Sequence, residues 1–191
     1  MIRIFQIGFN KCGTKSLAQF FRRNRIRSVH WDQGRLARSM HDCLHSGHKL
    51  VTEYHQYQFF SDMELLSMKE HIEAFKYYPK LAKENPDALF IYNYRNEKDW
   101  VESRLAWRNG YWTKRYMANH DLQTEEQAVD AWVKDWRKHR REVYAFFDAN
   151  PKYRFIDFNI ETHGVGRIMK VLPEFKLDMT KWGHYGKRNK K

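Results

Sequence analysis

Residues 2–7, IRIFQI, run without a break into GFNKCGTKS and then into LAQFF. Ile2, Ile4 and Ile7 with Phe5 form a short apolar run that reads as a buried strand. Leu17, Phe20 and Phe21 recur at helical spacing and predict a helix over 14–24. Gly8 and Gly13 let the backbone between them curl without Cβ clashes. A buried strand that turns directly into a helix must be covered on both faces. That requirement removes most all-helical and all-β architectures.

The rest of the chain repeats the alternation. IRSVHW (26–31), YQFFS (57–61), ALFIYNY (88–94) and YRFIDF (153–158) are strand candidates. Helical patterning is expected over 33–46, 63–84, 97–107, 124–149 and 164–172, and Thr124 with Gln127 has the spacing of a capping box. Residues 108–122 are aromatic, basic and expected to be irregular. Strands separated by helices predict an α/β fold, a three-layer α/β/α arrangement with a central parallel sheet of about five strands. No internal repeat, low-complexity linker or composition break divides the 191 residues. A single domain over 1–191 is therefore expected.

Lys and Arg total 35 against 23 acidic residues, a net charge of +12 with a pI near 9.7. Such a field favours anionic partners. Two cysteines, Cys12 and Cys43, make a disulfide framework improbable and point to a reducing compartment. No apolar segment is long enough to span a bilayer, and the first strand begins too early to leave room for a signal peptide. A cytoplasmic enzyme or binding domain with no membrane partner is the expectation, and no residue spacing calls for a metal.

A strand-to-helix turn aims unpaired N–H groups outward, and the helix dipole reinforces their attraction for anions. Lys11 and Lys15 add mobile charge, and Thr14 and Ser16 add hydroxyls. The nucleotide-kinase pattern is G-x-x-x-x-G-K-[ST]. Gly8 and Gly13 keep its spacing, but Thr14 stands where the lysine belongs and Lys15-Ser16 arrives one residue late. One helical position swings a side chain by about 100°. No strand ending in a magnesium-binding acid is evident either, YQFFSD being only a weak candidate.

The same string resembles the 5′-phosphosulfate loop of sulfotransferases, G-x-x-K-x-G-T-[TS]-S-L. Lys11, Gly13, Thr14, Ser16 and Leu17 match, Lys15 departs, and Cys12 occupies a position that is usually small. A second signature of that family is an Arg at a strand end with a Ser eight positions later, and Arg95 and Ser103 fit it. The resemblance implies a P-loop NTPase-like sulfotransferase fold. It also implies transfer of a sulfonate from 3′-phosphoadenosine-5′-phosphosulfate (PAPS) to a hydroxyl or amine of an acceptor, with the bisphosphate PAP as product. By the same resemblance Lys11, Cys12, Gly13, Thr14, Lys15, Ser16, Arg95 and Ser103 hold the donor, with Lys11 also catalytic and no metal required.

The acceptor needs a general base. Asp62, after the third strand, is the first candidate by resemblance; His30 and Asp32 are alternatives, and Glu53 and His55 are further ones on an expected loop. Residues 107–120, WRNGYWTKRYMANH, read equally well as an acceptor lid or as aromatic core. Trp132 and Trp136 are expected in the core, and KHRR (138–141) on a solvated helix face. WGHYGKRNK, at the C-terminus, loosely resembles the family segment that closes over the 3′-phosphate. The acceptor itself, a glycan or small molecule, is not named by any residue pattern. An ATP- or GTP-dependent kinase and a basic nucleic-acid-binding module are the competing readings. The second leaves the loop and the Arg–Ser spacing unexplained, so nucleic acid is not an expected partner.

Overall fold

The structure, a computed structural model, describes residues 1–185. Its strands are β1 (Ile4–Gln6), β2 (Ser28–His30), β3 (Phe59–Ser61), β4 (Glu64–Leu66), β5 (His71–Glu73), β6 (Leu89–Tyr94) and β7 (Arg154–Asn159). Its α-helices are α1 (Thr14–Arg23), α2 (Arg35–Ser46), α3 (Tyr78–Glu84), α4 (Glu97–Leu105), α5 (Tyr111–Asn119), α6 (Glu125–Ala149) and α7 (Gly166–Lys170). Five strands form one parallel sheet in the order β2-β3-β1-β6-β7. The chain winds from β1 toward one edge and later toward the other. The carboxyl end of β1 is thus the switch point, where open α/β sheets hold ligands.

Alternate residues of each strand feed opposite cores. Ile4, Ile91 and Phe158 pack with Leu17, Phe20 and Phe21 of α1 and Ile168 of α7. Phe5, Phe60 and Phe90 face the other way, onto α2, α3 and α6. The Phe5 ring stacks on Phe60 at 4.9 Å and on Phe90 at 5.4 Å across the sheet. Among the described residues no helix is long and apolar enough to cross a membrane.

The Thr124–Gln127 capping box starts α6, and Trp132, Trp136, Val143 and Phe147 turn into the core. One residue of KHRR departs from its expected place. Lys138, Arg140 and Arg141 are exposed, but His139 is buried, with its Nε2–H donated to the Ile7 carbonyl at 2.8 Å. Burial pushes that imidazole down to about 4, so it is a neutral core residue.

Two further expectations are corrected. Residues 63–84 are not one helix. They form the antiparallel hairpin β4–β5 followed by α3, which Pro79 helps to start. The Ser67 hydroxyl accepts from the N–H groups of Lys69 and Glu70, which folds the hairpin tip. Residues 108–122 are not irregular, because α5 lies within them. Arg108, Asn109 and Gly110 all have positive φ and separate α4 from α5. Thr113 and Tyr116 of α5 are buried, Tyr116 lying 5.4 Å from the Trp132 ring, whereas Tyr111 is exposed.

Candidate active site

The loop between β1 and α1 is held from beneath by two buried amides. Gln6 Oε1 accepts from the Asp62 N–H at 3.0 Å, and Gln6 Nε2 donates to Asn93 Oδ1 and to the Gly8 carbonyl. Asn93 completes the lattice, with Oδ1 accepting from the Gly8 N–H at 3.1 Å and Nδ2 donating to the Cys12 carbonyl at 2.7 Å. Gly8 is required here, since a Cβ would strike the Asn93 carbonyl oxygen. At the other end of the loop Gly13 caps α1 with φ 76°, and a Cβ there would meet Ile160 at 2.9 Å. Lys11 itself is left-handed, with φ 63°. A lysine in that conformation persists only where its surroundings enforce it.

Thr14 and Ser16 are buried on the first turn of α1 and Lys15 is exposed. Ser16 Oγ accepts from the Tyr185 N–H at 2.9 Å, so the described part of the C-terminal segment lies against the loop. Its remainder, 186–191, falls outside the described residues. Cys12 is fully buried, and burial drives its thiol pKa up, which makes it a packing residue and no nucleophile.

Sheet order brings the acid–base candidates beside this loop. Asp62 follows β3, the neighbour of β1, and has φ 55°. His30 ends β2, with Nδ1 3.0 Å from Ser61 Oγ and Nε2 3.6 Å from Asp62 Oδ2. Burial, with help from Glu64, raises Asp62 to about 7 against the pull of Lys11 and Arg104. His30 goes the other way, to about 4, through burial and the charges of Arg22 and Lys15. Near neutrality Asp62 therefore changes charge while His30 stays neutral. Asp32 is differently engaged. Burial acts to raise it, but hydrogen bonds from Arg35 and Tyr54, each 2.7 Å long, prevail and hold it below the usual carboxylate range. Glu53 and His55 are exposed, on the segment between α2 and β3.

Arg95 follows β6 directly. Its Nε and Nη2 donate to Glu161 Oε1 at 3.1 and 2.7 Å, and the Asn96 N–H donates to Glu161 Oε2 at 2.9 Å. Asn96 caps α4, and Ser103 lies half-buried on that helix. The next residue, Arg104, is buried and ties α4 to the loop, donating to Asn10 Oδ1 at 3.1 Å and to Glu64 Oε1 at 3.3 Å. An open cleft of about 430 Å³ beside Arg95 is lined by Tyr94, Asn96, Trp136, Arg140 and Thr162 among others. Glu64, His71 and Glu73 also place potential ligand atoms within 4.8 Å of one another. Arg104 on Glu64 and Lys76 on Glu73 already neutralise that cluster, which makes it an ion-pair network.

Along the carboxyl end of the sheet the order is thus His30, Asp62, the glycine loop, Arg95 and Glu161. A family model described as a sulfotransferase domain matches residues 3–172. The chain belongs to the sulfotransferase domain family. Its α/β fold, with five parallel strands between helical layers, is the P-loop-like fold of sulfotransferases, and the protein is a transferase of sulfonate groups. None of the curated proteins matches the chain.

Sequence reading missed several residues that build this candidate site: Gln6, Asn93, Asn10, Glu64, Arg104 and Glu161. A signal existed for two of them. An amide inside an otherwise apolar strand, as in IRIFQI and ALFIYNY, has to find buried partners.

Proposed function

We propose that the chain, as a single domain over 1–191, transfers sulfonate from PAPS to a hydroxyl or amine of a glycan or small-molecule acceptor. One observation carries this reading. The loop lysine, a carboxyl group poised near 7 and an arginine cradle that already holds an anion stand side by side at the switch point. The fit to the donor rests on the same features. Gly8 and Gly13 let Asn93 and Ile160 pack directly on the loop backbone and fix its curl, and Arg95 with the Asn96 N–H grips a carboxylate where the resemblance calls for a 3′-phosphate.

When bound, PAPS supplies a sulfonate activated by a phosphate leaving group. Lys11 and the N–H groups at the start of α1 neutralise the charge that grows on that phosphate. Cys12, Gly13, Thr14, Lys15 and Ser16 shape the cradle, while Arg95 and Ser103 secure the 3′ end. Asp62, ionised, accepts the acceptor's proton. His30 then serves as a positioning residue, fixed by Ser61 and facing the Asp62 carboxylate. A kinase would need a lysine directly after Gly13, yet Thr14 stands there and Lys15 follows one position late. A reducing, cytoplasmic setting fits the two unbridged cysteines.

The direct test is transfer of labelled sulfonate from PAPS to a panel of glycans, phenols and amines, with PAP released in equal amount. Absence of both label transfer and PAP binding would contradict the proposal. The pH dependence is a sharper check. A base must be ionised to act, so kcat/KM should rise with pH through about 7, and Asp62→Asn should abolish the rise along with most of the activity. Stability should move the opposite way. Asp62 is raised above its unfolded value, so its contribution is present at low pH and lost as pH passes through about 7. Above that pH Asp62→Asn should unfold at a higher temperature than the unaltered protein.

A further inference from the structure

Glu161 is not part of the family signature read from the sequence, yet it occupies the anion cradle. One carboxylate oxygen takes both donated N–H groups of Arg95, and the other takes the Asn96 N–H at the start of α4. A planar carboxylate held by a guanidinium and a backbone amide satisfies the same donors that a phosphate would use. The turn that carries Glu161 is fixed independently of this grip. Asn159 Oδ1 accepts from the N–H groups of both Glu161 and Thr162, and Ile160 packs against Gly13 of the glycine loop. Glu161 is exposed, so its side chain can leave the cradle for water by changing rotamer, with the backbone of the turn unmoved.

We propose that Glu161 is an intramolecular competitor for the 3′-phosphate of the nucleotide. The inference rests on the PAPS reading above. With the nucleotide absent, the carboxylate neutralises Arg95 and occupies its donors. On binding, the 3′-phosphate displaces the carboxylate, and on release the carboxylate re-forms the pair. Donor and product are both held less tightly than an unoccupied cradle would hold them, and the bisphosphate product leaves sooner. A nucleotide without a 3′-phosphate leaves the Arg95–Glu161 pair intact and is indifferent to it.

The two candidate roles of Glu161 differ in sign. A residue that merely orients Arg95 for phosphate helps binding, and its loss weakens the complex. A competitor hinders binding, and its loss strengthens it. The experiment is titration calorimetry of PAP, and of adenosine 5′-phosphosulfate as the ligand lacking the 3′-phosphate, with the full chain and with Glu161→Gln and Glu161→Ala. An exposed ion pair is a modest competitor, so PAP should bind both variants about three- to ten-fold more tightly. Affinity for adenosine 5′-phosphosulfate should be unchanged. Unchanged or weaker PAP binding in both variants would overturn the inference, as would equal tightening for both nucleotides. If Arg95→Ala weakens PAP while Glu161→Gln has no effect, the donor assignment stands and the competitor role falls. If the unaltered chain binds no PAP at all, both fall together.

Discussion

Lys11→Ala is expected to lower kcat by about 10²- to 10³-fold, the range seen when a preorganised donor to developing charge is removed. The loss should be concentrated in kcat, because the charge that Lys11 meets grows only as the bond to sulfur breaks. Lys11 is only half-buried and lies in the turn before α1, so the substitution removes no core contact of the size that holds the sheet together. A second readout separates this role from a structural one. Lys11 pulls the Asp62 carboxyl down, in opposition to burial and Glu64. Its removal should therefore move the rise of kcat/KM with pH to higher pH. An unchanged pH midpoint with full turnover would remove Lys11 from the chemistry.

Gly8→Ala is expected to have the largest effect on folding. The added methyl group would meet the carbonyl oxygen of Asn93 and, at 2.5 Å, its side-chain oxygen. Neither atom can step aside easily. The carbonyl belongs to β6 in the interior of the sheet, and the side chain is bonded to Gln6, Gly8 and Cys12. Overpacking combined with a broken buried polar network should cost about 3–5 kcal/mol. For a chain of this size that corresponds to a fall in Tm of about 6–20 °C. Gly47→Ala is the control. Gly47 also has positive φ, 76°, but nothing lies within 4 Å of its added Cβ, so only the conformational cost of about 1 kcal/mol should appear. Urea unfolding of the two variants beside the unaltered chain reads the difference.

The parts of the fold legible in the sequence are those where local pattern and tertiary burial agree. IRIFQI, the glycine loop and α1 were readable because apolar period, glycine placement and helix spacing all point one way. The capping box of α6 is a local device that needs no partner, so it too could be read. The hairpin within 63–84 was not, because Glu64 is a poor strand residue in isolation. It is buried there by Arg104 and His71, partners 40 and 7 positions away. Helix α5 was hidden for the opposite reason, since Tyr116 packs on Trp132 of α6, Arg115 reaches the Leu66 carbonyl, and no clean apolar stripe remains. His139 sits in a basic run, and only its tertiary partners, the Ile7 carbonyl and the Phe9 and Phe75 rings among them, show that it faces inward.

In the candidate site, the loop and Arg95 were singled out by their spacing, whereas Gln6, Asn93 and Glu161 depend on contacts that spacing does not encode. Asp62 and His30 were both named from sequence, but their proximity follows from β2 and β3 being neighbours in the sheet. Asp32, named beside them, turned out to be engaged by Arg35 and Tyr54, a pairing no spacing revealed.

The central claim is that the loop and Arg95 hold an adenosine nucleotide bearing a 3′-phosphate. The most direct measurement is thermal unfolding of the full chain with PAP, with ATP and Mg²⁺, and with no ligand, repeated for Arg95→Ala. PAP at about a hundredfold excess over its Kd should raise Tm by about 5–10 °C. ATP with Mg²⁺ should do little, and Arg95→Ala should weaken PAP binding by about 10- to 100-fold. Stabilisation by ATP and Mg²⁺ without stabilisation by PAP would contradict the account.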